Sequence, residues 1–362
     1  MRILQIAPPW FAVPPTGYGG IERVVANLAD GLVAGGHDVT LLASGGSRTT
    51  ARLWTVFDEP PSRALGCPAH EITHWMRAHE ARDDFDMIHD HSSIVGAALA
   101  AVGGGPPVVH TMHGPWEPHI AAAYRALPPG LHIAAISEDH ARRAPSGLDV
   151  EVVHNGIDLS RFPFRGTPDS QGHLAFVGRA NPEKGPDVAI RVARHLGRPL
   201  RMALKINEPN ECRYLDEVLR PLLTDVDVDL VLNGSAAQSA AILAGAIATL
   251  APLAWDEPFG LALAESMACG TPVVAYDRGA AGEVIVDGET GYLVAPGDVD
   301  GLCTAVEKAT GLSRTACRRR VADRFSASAM VSRYTALYER VIGRTHPQIL
   351  RVASRVLSSV RG

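Results

Sequence analysis

Short apolar runs alternate with longer segments of helical period from the first residue to about residue 300, and this alternation constrains the fold more than any other feature of the sequence. The runs Ile3 to Ala7, Val39 to Ala43, Met87 to His89, Val108 to Thr111 and Ile133 to Ile136 are almost continuously hydrophobic. Strands of that kind are covered on both faces, as in parallel sheets flanked by helices. Between the first two runs, Ile21, Val24, Val25, Leu28, Leu32 and Val33 recur at helical spacing, and Gly35 and Gly36 supply a stop. After Asn155-Gly156-Ile157-Asp158, a loop rich in Arg, Pro and Gly leads to Gly172. The alternation then starts again with Leu174 to Val177, Leu200 to Lys205, Leu230 to Leu232, Ala248 to Ala251 and Val273 to Tyr276. The chain therefore reads as two α/β units, residues 1–165 and 166–325, followed by a helical segment, 326–362. Its 362 residues suffice for two such cores.

Composition excludes several classes. A net charge of −5 gives no general attraction to nucleic acid or anionic lipid. Five cysteines without a C-x-x-C pair suit neither a disulfide framework nor a zinc knuckle, so a reducing cytoplasm is the expected setting. The opening MRILQIAPPW lacks the apolar core of a signal peptide, and the longest apolar run, Ser239 to Trp255, is broken by Gly245 and Pro252; no transmembrane helix is expected. From Arg314 onward eleven Arg stand against Asp323 and Glu339, a local charge of +9, with an apolar stripe at Ile349, Val352, Ala353, Val356, Leu357 and Val360. That pattern fits a terminal helix packed on the body, or peripheral contact with an anionic membrane.

Two open α/β sheets bind ligands at the carboxyl ends of their strands, in the crevice between them. Each notable motif falls at such an end. Gly17-Tyr18-Gly19-Gly20 opens a helix N-terminus, either a phosphate cradle or a simple turn. It is not a dinucleotide fingerprint, because Glu22 stands where the third glycine belongs. The run Leu174 to Val177 leads into Gly178-Arg179-Ala180-Asn181-Pro182-Glu183-Lys184-Gly185, where Arg179 and Lys184 can flank a diphosphate, one as a planar fork and one as a point charge. Lysine occurs only at 184, 205 and 308, so Lys184 is no compositional default. In WDEPFGLALAESMAC, Glu257 and Glu265 bracket the start of a helix near Gly260: Glu257 before it, toward a sugar, and Glu265 two turns in, within reach of ribose hydroxyls. The same spacing describes a surface helix with two solvated acids. His113, in VVHTMHG, ends a strand on the opposite side of the crevice. Trp10, Phe11, Tyr18 and Trp116 lie in loops near it, either stacking on an acceptor or packing on the body. His70-Glu71-Ile72-Thr73-His74 spells H-E-x-x-H, but His79 lies five residues on where a third histidine ligand needs six, and Ile94 occupies the place of a distant Glu ligand twenty residues on, so we reject that reading.

Together these segments resemble the family 4 retaining glycosyltransferases of the GT-B fold (glycosyl transferases group 1). The likeness rests on EPFGLALAE followed by SMACGTPVVAYDRGAAGEVIVDGETGYLV, and extends through YGGIERVVANLADGL, VVHTMHG, VVHNGID and VGRANPEKG. It implies two Rossmann-like, doubly wound parallel-sheet domains facing across a cleft, with the terminal helices crossing back to the first. By the resemblance, Gly19 and Gly20 approach the donor phosphates, and Arg179 and Lys184 hold the diphosphate. Glu265 takes the ribose. Glu257 and the amides of Phe259, Gly260 and Leu261 face the sugar and its phosphate, His113 reaches the sugar from the first domain, and Gly234-Ser235-Ala236 edges the base. The implied reaction is transfer from a UDP- or GDP-sugar to an acceptor hydroxyl with retention, without a metal or other cofactor. A nucleotide-sugar epimerase and a non-catalytic nucleotide-sugar-binding protein are the competing readings.

Overall fold

The computed structural model describes residues 1–359 apart from 16 and 18, with side chains described through residue 343. Tyr18 lies outside the described residues, and the side chains of the apolar stripe from Ile349 to Val360, with the membrane contact attached to it, lie outside those described.

Two parallel sheets form the body. The first has the order β3-β2-β1-β4-β5-β6-β7, with β1 Arg2–Ile6, β2 Asp38–Ala43, β3 Arg52–Thr55, β4 Met87–Asp90, β5 Val108–Met112, β6 His132–Ala135 and β7 Val150–Val152. The second has the order β10-β9-β8-β11-β12-β13, with β8 Leu174–Arg179, β9 Leu200–Lys205, β10 Val228–Leu232, β11 Ala248–Ala251, β12 Val273–Tyr276 and β13 Gly291–Val294. Every expected strand is present. Strands β3, β7 and β13 were not foreseen. β3 lies at a sheet edge, largely exposed, and has the sequence Arg-Leu-Trp-Thr, without the continuous apolar run of a covered strand. The strand order reverses between β1 and β4 and again between β8 and β11, so each sheet has a switch point where loops diverge and leave a crevice. This is the doubly wound GT-B architecture.

The helix Gly20–Ala34 buries Val24, Val25, Leu28 and Leu32 against the first sheet, each contributing roughly 1.5–3 kcal/mol by leaving water. The chain leaves the first sheet through Asn155 to Asp158. It returns in the helix Ala327–Ser359, whose Met330, Tyr334, Leu337, Tyr338 and Val341 enter the same core as Ile3, Leu28, Leu32 and Val39. Their spacing puts all five on one helical stripe. At Gly31 an added Cβ would come within 2.5 Å of Val331, so only glycine permits this close helix crossing. The two crossings between sheets run side by side: Ile157 donates its N–H to the Phe325 carbonyl at 2.7 Å, and Ala327 donates to that of Ile157 at 2.9 Å. Among the described residues, no helix is long and apolar enough to cross a membrane.

Candidate active site

The two switch points face each other across a cleft of about 1050 Å³. Gly19, Gly20, His113, Arg179, Lys184, Gly234, Ala236, Glu257, Phe259, Gly260, Leu261 and Glu265 all line it. Ser235 does not; its hydroxyl caps the helix Ala236–Gly245, accepting from the Gln238 amide at 3.2 Å while Gln238 bonds back to the Ser235 amide. A residue needed to satisfy a helix end is thereby taken out of the cleft.

The second-domain wall is built at the ends of β8 and β11. Asn181 accepts a bond from the Lys184 amide at 3.2 Å and folds a short turn after β8. Gly185, at φ 71°, brings this turn so close to Pro252 that a Cβ would stand 2.3 Å from its carbonyl oxygen. Lys184 Nζ pairs directly with Glu257 and lies 4.8 Å from the Trp255 ring, while Trp255 Nε1 donates to Glu257 at 2.9 Å. Arg179 reaches Glu208 at 2.6 Å and Glu211 at 2.5 Å. Both presumed diphosphate ligands therefore hold carboxylates in this structure, a partnership that their positions in the sequence did not suggest.

Gly260, at φ 84°, turns the chain into the helix Leu261–Ala268, so the helix starts where the sequence indicated. Glu265 is 8% exposed and accepts from Arg23 of the first domain at 3.3 Å; burial raises its carboxyl above the usual range against the pull of Arg23. The bare approach of the two domains is visible at Gly20, where a Cβ would stand 3.0 Å from a Leu261 methyl. Behind Glu257, Gly279 sits at φ 56° with space for no side chain: a Cβ would be 2.4 Å from the Glu257 nitrogen.

Two family models match the chain: Glycosyltransferase Family 4 over residues 18–161 and Glycosyl transferases group 1 over residues 161–321. The chain belongs to the family 4 glycosyltransferases. It is 29% identical over 377 aligned residues to a glycogen synthase of Mycobacterium tuberculosis, covering 90% of this chain and 89% of that protein. A phosphatidyl-myo-inositol mannosyltransferase of Mycolicibacterium smegmatis is 28% identical, with 84% of each chain covered. The solved structure of AviGT4, a glycosyltransferase involved in avilamycin A biosynthesis, superimposes with a TM-score of 0.73 at 27% identity, over 95% of this chain and 98% of that one.

On the first-domain wall of this glycosyltransferase, His113 follows β5 and meets His91, with its Nε2 3.0 Å from His91 Nδ1. His91 Nε2 lies 2.9 Å from Gln5 Oε1, which can only accept, so His91 donates there and its Nδ1 accepts a hydrogen bond from His113 Nε2–H. Gln5 in turn donates to Tyr338 at 3.1 Å, and Tyr338 is 2.5 Å from His89. A continuous buried chain of polar groups thus runs from the cleft to the returning helix. Burial pushes His113 down to about 3, with the neighbouring His110 and His140 adding to the effect, and likewise holds His89 and His91 well below the usual imidazole range. All three are neutral at pH 7.

Sequence reasoning missed His91, Gln5, Arg23 and Gly279 as parts of the site. Of the loop aromatics, Trp10 and Phe11 line the cleft, whereas Trp116 donates to the His140 carbonyl at 2.9 Å and packs edge-on against Tyr124. Lys205 stands at the end of β9 with its ammonium 5.5 Å from the Phe11 ring, across the cleft from its own sheet.

Proposed function

We propose that this glycosyltransferase moves a sugar from a nucleoside-diphosphate sugar, UDP- or GDP-linked, to an acceptor hydroxyl with retention at the anomeric carbon and without a divalent metal. The observation that carries this reading is the convergence of Lys184, Glu257 and the Gly260 helix N-terminus on one wall of the interdomain cleft. As the glycosidic bond to the β-phosphate breaks, negative charge grows on the diphosphate. Lys184, Arg179 and the opening amides of the helix Leu261–Ala268 meet that charge, the service a metal performs elsewhere. Glu265 accepts from the ribose, and Gly234 and Ala236 edge the base. Glu257 accepts from sugar hydroxyls, while His113, donating a hydrogen bond from Nε2 to His91, keeps an unprotonated Nδ1 able to accept from a hydroxyl. The acceptor hydroxyl attacks the face from which the diphosphate departs.

The test is a thermal-shift screen of UDP-, GDP-, ADP- and TDP-sugars, followed by transfer with the stabilising donor in the presence of EDTA. The anomeric proton coupling of the product is read by NMR. A product of inverted configuration, or transfer abolished by EDTA, contradicts the proposal.

A further inference from the structure

The rejected H-E-x-x-H motif has a different use. Its two histidines are packing residues: the His70 ring lies 6.1 Å from Trp10 and 5.5 Å from Phe57, and His74 stacks on Phe57 at 6.2 Å. The helix Pro68–Glu80 buries Glu71, His74, Trp75 and Ala78, a stripe that turns Glu71 inward at its first turn. Glu71 is 6% exposed and lines the cleft on the first-domain side, away from Lys184 and Glu257. Its carboxylate accepts from the Ser93 hydroxyl and, among the described residues, forms no ion pair. Burial raises its carboxyl and the nearby Asp90 adds to that, while Ser93, through hydroxyl and amide, and Trp10 oppose it. A carboxylate offers about four acceptor sites, so these neutral donors, with no cation among the described residues paired to it, leave Glu71 capacity to accept from a hydroxyl.

The surroundings narrow the chemistry. Apolar surface from Trp10, Phe11, Leu65, Ile94, Met112 and Ile120 shares this side of the cleft. Leu65 is 52% exposed, an unburied apolar side chain on the lining. Among the described residues, Arg23 is the only lysine or arginine that the first domain contributes to the cleft, and it is engaged by Glu265 and the Gly17 carbonyl. Among the described residues, a phosphorylated acceptor beside Glu71 would meet the carboxylates of Glu71 and Glu117, while His119 pairs with Glu117 at 3.5 Å and Lys205 of the second domain, over the Phe11 ring, is drawn by Glu22.

We propose that Glu71 is the acceptor-binding carboxylate of this enzyme, taking hydrogen bonds from the hydroxyls of an uncharged glycoside whose apolar aglycone lies against the Trp10 and Leu65 side of the cleft. A carboxylate accepting from two hydroxyls fixes a sugar ring's orientation, and the apolar walls take its less polar face or aglycone. The proposal rests on the glycosyltransferase reading for its site but assigns a contact that the donor does not make.

The test uses 4-nitrophenyl β-glucoside and its 6-phosphate as probes, with binding read by NMR titration in saturating UDP or GDP, whichever binds more tightly. The uncharged probe is expected to bind at least tenfold more tightly than the phosphate. Glu71→Ala is expected to lose at least tenfold in affinity for it, with Glu71→Gln intermediate and nucleotide affinity in both variants within threefold of wild type. Equal or better binding of the phosphate, or unchanged glucoside binding in Glu71→Ala, overturns the assignment. Should Glu71→Ala also lose nucleotide binding, Glu71→Gln decides: probe affinity within twofold of wild type refutes the role. Absence of nucleotide binding by the wild-type protein refutes the donor reading, and the glucoside titration without nucleotide then tests Glu71 by the same criteria.

Discussion

Replacing Lys184 and Glu257 singly and together tests how the donor wall works, because the structure joins the two residues that the sequence assigned to separate tasks. Their side chains are 16% and 15% exposed and in direct contact. At about 4 Å and an effective dielectric near 20, two unit charges attract by about 4 kcal/mol; desolvation offsets much of it, leaving a coupling on the order of 1–3 kcal/mol. Lys184→Ala removes a charge-assisted phosphate contact of about 1.5–3 kcal/mol, about 10- to 150-fold in affinity. It also leaves Glu257 unpaired beside the incoming diphosphate, which moves the expected loss toward the upper end, roughly 100-fold. Glu257→Ala releases Lys184 but also removes its fixed partner, so nucleoside diphosphate binding is expected to stay within about twofold of wild type, while sugar transfer falls steeply. The double variant, free of the stranded carboxylate, should bind only about tenfold more weakly than wild type. Calorimetric titration with UDP and GDP, beside single-turnover transfer, measures all four corners of the cycle. Equal weakening by both single variants would refute the reasoning, as would a double variant whose loss is the product of the single losses.

Three further outcomes are expected. With His89, His91 and His113 held below the ordinary imidazole range, the unfolded chain takes up protons first as pH falls, so their stabilising contribution is full above about pH 6.5 and fades below it, by up to about 4 kcal/mol per pH unit if all three act together; a urea midpoint unchanged between pH 7.5 and 5 would refute this. Burial raises the Glu265 carboxyl, so its ionisation weighs against the fold once pH exceeds the ordinary carboxylate range, and Glu265→Gln should raise the melting temperature at pH 7 while lowering nucleotide affinity at least tenfold; a lower melting temperature contradicts the sign. Gly279→Ala forces a Cβ against the Glu257 backbone at a positive φ, costing about 1–2 kcal/mol from the left-handed conformation alone; transfer should drop more than tenfold with nucleotide affinity nearly preserved, and calorimetry beside turnover checks the split.

The fold was legible wherever a strand is covered on both faces, since such a run, like Val273 to Tyr276, announces itself without reference to neighbours. The short edge strands β3 and β7 carry no such run; tertiary pairing alone defines them. Cleft residues next to a glycine turn or helix start, such as Lys184 and Gly260, were also readable, because local chain direction decides where they go. Contacts between distant segments were not. Arg23 meets Glu265 across 242 residues, and Lys184 meets Glu257 across 73. Glu71 was hidden for another reason: once the spacing of third ligands rules out a metal helix, nothing local to the motif says which way Glu71 faces. Ser235 shows the local rule prevailing, with helix capping outweighing a place in the cleft.

The returning helix also sets the order in which the molecule can be finished during synthesis. The first sheet is complete in sequence by Val152, yet Tyr334, Leu337 and Tyr338 of its core come from far downstream. At about 5–20 residues per second, the ribosome needs roughly 10–40 s to supply them. Through that interval the nascent first half presents an uncovered apolar face and a Gln5–His89 pair awaiting its phenol, a natural handle for a chaperone. The half that is made first is the last to close.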